Sequence, residues 1–194
     1  MILDFLKQQT REQHERVEGL MPVMHDALTP EGYVHVLLAL LDVYVALEVR
    51  LARSPLPGAF DHRPGRWSGL IRRDLQALGV RTVPRGPAEG AVPFGEWEAL
   101  GCLYVLEGAA LGGQVIARHV RRRLRLAPEA GLAFFTGGGA DAGRSWRAFR
   151  VAAAQHAAHA GDAEWASALR GAREAFAVFE ERLARASRNV GAPA

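Results

Sequence analysis

The sequence predicts a single all-α domain, and three observations predict it. Apolar residues recur at three- and four-residue spacings nearly throughout, the period of a helix with one face in a core. Prolines fall between those stretches or at their first positions. No run alternates apolar and polar residues for long enough to read as a strand. At 194 residues, 49% of them apolar, the chain can bury one sizeable core without disulfide or metal staples.

The elements follow in order. Leu3, Leu6, Thr10, Val17 and Met21 form one stripe of a first helix, which ends at Pro22. Thr29 reads as the N-cap of the second, with Pro30 at its first position, and Val34 to Leu51 as its long buried body. Ser54 to Gly58 ends it. Trp67 to Leu78 is a further helix, closed by Gly79. Val80 to Pro93 carries Pro84, Gly86, Pro87 and Gly90 and reads as loop. A long helix starts near Phe94 to Glu96 and runs to about Leu126, with Gly101, Gly108, Gly112 and Gly113 inside it. Phe134 to Gly139 is a break, followed by helices from about Asp141 to Ala160 and from Asp162 to Ser187. One domain over 1–188 and a frayed tail over 189–194 are expected.

Composition narrows the function. The net charge is only +3, so nucleic acid is not an expected partner. Lys7 is the sole lysine, and the dense basic run holds Arg118, Arg121, Arg122, Arg123 and Arg125. That run reads first as a solvated helix face, since no aromatic residues interleave with it for base stacking. A single cysteine, Cys102, excludes an internal disulfide and a cysteine-rich zinc site. The most apolar run, Val34 to Val49, is interrupted by His35, Asp42 and Glu48, so no membrane span is expected. No basic segment precedes an apolar run at the start, so no secretory signal is expected and a cytoplasmic location is the default.

Three features carry chemistry. The first is Lys7-x-x-Thr10-x-x-x-His14-x-x-x-Glu18, whose Thr10, His14 and Glu18 lie along one helix face. A histidine there can ligate a metal through one ring nitrogen while a carboxylate receives the other N–H. The plainer reading is a boundary histidine partnered by Glu18. The second is Gly108-Ala109-Ala110-Leu111-Gly112-Gly113-Gln114 inside one helix. Each interior glycine costs about 1 kcal/mol relative to alanine. Close approach of something flat or bulky, or a kink, explains three glycines better than close packing against another helix does. The third is Phe134-Phe135-x-Gly137-Gly138-Gly139 followed by Trp146, Arg147, Phe149 and Arg150. Two arginines three residues apart suit carboxylate groups, though surface arginines over a Trp and Phe core are the plainer reading.

Together these stretches resemble the haem oxygenase family, from Leu6 to the final helix. The first motif looks like the family's proximal-helix signature. Tyr104-Val105-Leu106-Glu107-Gly108-Ala109-Ala110-Leu111-Gly112-Gly113-Gln114 looks like its distal helix. The pattern is most similar to the bacterial branch that supplies biliverdin to phytochromes. The resemblance implies a single-domain helical bundle with a glycine-kinked distal helix, and oxidative opening of haem to biliverdin, CO and ferrous iron. It makes His14 the axial iron ligand, with Glu18 beside it. It makes Gly108, Gly112 and Gly113 the surface over the haem, with Thr10 and Tyr104 at the site. It makes Lys7 a propionate contact and Arg147 and Arg150 candidates for the same task. Haem would be both substrate and cofactor, and electrons would come from a reductase or ferredoxin, for which the Arg118 to Arg125 face is a possible dock. A phytochrome is a possible receiver of the product. One departure stands out: the Asp that many members carry in the distal segment is Ala109 here.

Three other readings use the same residues. A haem carrier or sensor on the same scaffold would bind without turnover. A thiaminase-like enzyme would use Cys102 as nucleophile, against the apolar run Leu100 to Leu106 that surrounds it. A ferritin-like di-iron bundle needs paired Glu-x-x-His motifs, which the sequence lacks. His25, His35, His62, His119, His156 and His159 then read as surface or core residues.

Overall fold

The computed structural model describes residues 1–60, 64–81, 91–127, 130–137 and 142–190. Its helices are α1 (Ile2–Gln9), α2 (Arg11–Gly19), α3 (Pro30–Leu51), α4 (Arg66–Ala77), α5 (Glu96–Leu124), α6 (Ala142–His156) and α7 (Asp162–Val190), with a 3-10 turn at Pro22–Met24. Among the described residues there is no strand. His62, most of the expected loop (82–90), Gly138, Gly139 and the last four residues of the tail lie outside the described residues.

The α5 and α7 pair makes the most extensive contact of the bundle. Its closeness is written in small residues. A Cβ on Gly101 would collide with the Ala168 carbonyl and the Ala172 amide, and one on Gly171 would collide with the Glu98 carbonyl. Each helix thus lays a glycine on the other's backbone. Ala168, Ala172 and Ala175 complete the buried seam. Gly171→Ala is therefore expected to cost about 2 kcal/mol or more, because backbone on both sides must separate. A fall of several degrees in the thermal midpoint, read by circular dichroism, checks it.

Caps and buried carboxylates set the other elements. The Thr29 hydroxyl accepts the Gly32 N–H at 3.0 Å, as expected of the α3 N-cap. Glu48, buried on α3, accepts the Trp67 N–H at 2.8 Å and the Ser68 N–H at 3.3 Å, closing the open end of α4. Gly79 closes α4 at φ +80°, with the Val80 N–H on the Leu75 carbonyl and the Gly79 N–H on the Gln76 carbonyl. Buried Asp74 then accepts the N–H groups of Ala133 and Phe134 at 2.6 and 2.8 Å. The Tyr33 hydroxyl donates to the Gly131 carbonyl at 2.6 Å, so α3 and α4 both hold the segment that leads to α6. Burial raises the carboxyl pKa of Glu48 and Asp74, and the donated backbone N–H groups pull both part of the way back.

Three boundaries differ from the sequence reading. The first helix is broken at Thr10, whose hydroxyl donates to the Leu6 carbonyl at 2.7 Å and whose backbone opens to φ −118°, ψ 13°. A threonine bonding back to the i−4 carbonyl bends a helix in this way. The helix α6 stops at His156 because Ala158 and Ala160 tighten into i−3 turns ahead of Gly161. The helix α7 runs on to Val190, past Ser187, since no breaker precedes Gly191.

Candidate functional site

The stripe of the N-terminal helices has one open position. Leu3, Leu6, Thr10 and Val17 are buried, and Met21 is partly so. His14 lies on the same face, yet its side chain is 59% exposed. Its ring stands edge-on to Phe176 of α7, with centroids 6.2 Å apart. Nδ1 faces Glu18 Oε2 at 3.5 Å. Val17 and an ion pair from Arg16 to Glu180 Oε1 at 3.0 Å dock α2 on α7. The imidazole is therefore held on a fixed element, with one nitrogen turned to a carboxylate and the other free of any described partner.

On α5 the glycines divide into two kinds. A Cβ on Gly108 or Gly112 would meet nothing within 4 Å. Leu111 and Val115 lie on the same side and are 44% and 53% exposed. Residues 108, 111, 112 and 115 are neighbours on one helical face, so α5 presents an open apolar stripe with no side chain at two of its four places. Gly113 is different: a Cβ there would collide with the Phe135 carbonyl. It serves the packing of α5 on the 131–137 segment, where Gln114 Nε2 also reaches the Thr136 carbonyl at 3.5 Å. The helix continues unbroken through all three glycines. Ala109 is exposed beside them.

Two joints bring α2 and α5 to a common opening. The Tyr104 phenol, half-buried on α5, interacts with the Thr10 hydroxyl at the start of α2. Burial raises the Tyr104 pKa and that contact pulls it back. At the other end the Pro22–Met24 turn packs on α5, and Arg123 Nε donates to the Asp26 carbonyl. Between the joints α2 and α5 make no extensive contact with each other. From Tyr104 the next positions along its face are Gly108 and Gly112; from Thr10 they are His14 and Glu18. Pinned together at both ends and without extensive contact between, α2 and α5 bound a slot, α2 carrying the exposed His14 and α5 the bare apolar stripe.

The predicted cations are exposed. Lys7, Arg147 and Arg150 have no ion pair among the described residues. Trp146, next to Arg147 in sequence, lies 6.3 Å from the Tyr104 ring and stacks on Phe149 at 5.6 Å, so α6 reaches the Thr10 end of the slot. Thr10 itself is buried and forms that closed end. The sequence reading gave Leu111 no role of its own and passed over Val115 and Phe176. Spacing alone could have found the first two, while Phe176 comes from a distant helix.

Cys102 is fully buried, and burial pushes its thiol well above the ordinary range. A nucleophilic cysteine needs the opposite shift and access, which removes the thiaminase-like reading. Cys102→Ala is expected to leave ligand binding and turnover unchanged within twofold, at a small cost in stability from the lost sulfur. Among the described residues no three His, Cys, Asp or Glu side chains gather as a metal cage. An iron ion at His14 would therefore have to bring its other ligands with it, as iron in a porphyrin does. The flat apolar slot, a single histidine and unpaired cations at one end fit such a group.

Known proteins point the same way. A family model described as "Heme oxygenase" matches residues 73–185. A curated relative named "Heme oxygenase" from Xanthomonas campestris pv. campestris is 37% identical over 122 residues, 61% of this chain and 67% of that protein. Three solved structures share the fold. The NO- and CO-bound haem oxygenase of Neisseria meningitidis has a TM-score of 0.70 at 23% identity, covering 96% of this chain and 92% of that one. The haem oxygenase of Leptospira interrogans has 0.71 at 19%, covering 95% and 98%. Haem oxygenase-1 of the cyanobacterium Synechocystis, in complex with haem, has 0.66 at 16%, covering 98% and 96%.

Proposed function

Because the chain belongs to the haem oxygenase family, an enzyme family that degrades haem, we propose that it opens haem to biliverdin, CO and ferrous iron in the slot between α2 and α5. The observation that carries this reading is an exposed His14 on an otherwise buried stripe of α2, together with an open Gly108, Leu111, Gly112, Val115 face on the helix joined to it at both ends.

Haem supplies the iron that binds O₂ and the ring that is oxidised. The chain's own residues supply position and surroundings. His14 ligates the iron through Nε2, while Glu18 at Nδ1 fixes the tautomer and strengthens the donor. Phe176 holds the ring's plane. Gly108 and Gly112 leave the distal wall without side chains, so the α5 backbone itself limits the room above the ring. Leu111 and Val115 cover apolar edge and exclude water. Lys7, Arg147 and Arg150 receive the propionates, and so fix which way round the ring lies. Ala109 offers no acceptor for a proton-carrying water, and Gln114 is turned toward Thr136. Proton delivery then rests on water held by α5 carbonyls along the glycine face.

Electrons come from an external reductase or ferredoxin. Arg118 and Arg122 are exposed on the stretch of α5 that follows Val115, and Arg125 is exposed just after its end. An acidic donor docked there stands close to the ring. Reversing the charge at Arg118 and Arg122 is expected to lower donor-supported turnover at low salt by tenfold or more, and to flatten its salt dependence, while haem affinity holds. For the product we propose a phytochrome as receiver, on the sequence's resemblance to the bacterial branch that supplies biliverdin to phytochromes.

The test is an absorption titration with one equivalent of haemin, followed by ascorbate in air. A histidine-type Soret band that decays into broad red absorption supports binding and turnover together. A band that forms and persists favours a carrier or sensor, the reading that Ala109 lends itself to. No band overturns the assignment of the slot.

A further inference from the structure

One charged cluster takes no part in the roles above. Glu107, immediately before Gly108, has a side chain only 8% exposed, although it carries a carboxylate. Its Oε1 lies 2.7 Å from Arg66 Nη1, at the first position of α4. Arg66 Nη2 donates to the Ser145 hydroxyl at 3.1 Å, on α6 next to Trp146 and two residues before Arg147. The guanidinium also lies over the Trp67 ring at 5.2 Å. One fork therefore joins three helices. It grips α5 where its side-chain-free stripe begins, and α6 where the candidate propionate cations begin.

A buried ion pair is a poor source of stability, since desolvation offsets most of the attraction. An apolar pair of similar volume would hold the helices as well. What the pair provides is register: a planar fork meets its partners in one geometry only. The two walls it ties have different tasks on the ring, one limiting the room above it and the other receiving its carboxylates. Their relative position decides which edge of the ring faces the glycine step.

We propose that Arg66 and Glu107 are positioning residues that fix the in-plane seating of haem, and with it the ring carbon that is attacked, by locking α5 to α6 behind the slot. This rests on the function proposed above. Neither side chain touches haem in this account. Both act through Gly108 on one side, and through Arg147 and Arg150 on the other.

The experiment compares wild type with the double variant Arg66→Met, Glu107→Leu and with Arg66→Lys, all loaded with ferric haem. Three readouts are taken: the thermal midpoint without haem, the shifted haem-methyl proton resonances, and the biliverdin isomers released with ascorbate. Wild type is expected to give one dominant set of methyl resonances and one dominant isomer. The double variant is expected to keep its thermal midpoint within a few degrees and to bind haem within about tenfold of wild type. It is expected to show two or more methyl sets and a mixed product. Arg66→Lys keeps the charge but loses the fork, and is expected to split the seating too. It also decides the matter if the double variant does not fold. A single methyl set and the wild-type isomer in a folded variant overturns the positioning role while leaving the haem reading intact. A wild-type protein that gives no Soret band overturns the haem reading itself, and this inference with it.

Discussion

His14→Ala is expected to abolish the histidine-type Soret band while leaving the fold intact. The two halves of that expectation have separate grounds. His14 is more than half exposed, its described contacts are Glu18 on its own helix and an edge of Phe176, and α2 is docked by Val17 and Arg16 instead. Exposed positions away from caps and cores change stability by about 0.5 kcal/mol or less. The thermal midpoint without haem should therefore stay within a degree or two. Iron, by contrast, would lose the protein ligand proposed for it, and no metal cage stands among the described residues to replace it. Turnover with ascorbate is expected to fall at least a hundredfold. Free imidazole should restore part of the band, because the slot that receives the ring is still there. Glu18→Ala should give the milder version, with a tenfold to hundredfold loss in affinity typical of removing the partner of a ligating imidazole. An unchanged band in His14→Ala would move the ligand to another histidine and dissolve the slot as the site.

Much of this arrangement was legible in the sequence, and the reason is local. The Thr29-Pro30 start of α3, the Gly79 stop of α4 and the buried stripe Leu3, Leu6, Thr10, Val17 each depend on residues within a few positions of one another. The four-residue ladder through His14 is local in the same sense. What spacing cannot see is the second helix. Gly101, Gly108, Gly112 and Gly113 look alike in the sequence. Yet Gly101 lies on the α7 backbone, Gly113 on the Phe135 carbonyl, and Gly108 and Gly112 on open space. Three glycines read as one surface are two surfaces with different causes. Gly171, half of the α5 and α7 contact, carried no signal at all beyond the small residues around it. The break at Thr10 was hidden for a related reason: threonine is tolerated in a helix, and only its bond to Leu6 and its contact with Tyr104 show that here it marks a joint. Arg66 was equally silent, being one arginine among many.

The division among the glycines makes the second large prediction. Gly112→Leu should fold normally, since a Cβ there meets nothing within 4 Å, and should gain helical stability of about 0.5 to 1 kcal/mol from the loss of glycine. Haem binding should nonetheless collapse, by a hundredfold or more in affinity, because a leucine would fill the space proposed for the ring. Gly113→Ala should do the reverse. Its added methyl runs into the Phe135 carbonyl, so the cost falls on stability, about 1 to 3 kcal/mol, while the variant that does fold keeps its open face and binds haem nearly as wild type does. Neighbouring residues of one helix would then show opposite phenotypes, one losing ligand without losing stability and the other losing stability without losing ligand. Thermal melts and haemin titrations of both variants decide it. If Gly112→Leu binds haem as wild type does, the stripe is not the wall of the site. If Gly113→Ala alone loses binding, the ring approaches α5 from the side that Phe135 covers. A glycine costs a helix stability wherever it stands, and only the space beside it tells whether a ligand or a neighbouring backbone requires it.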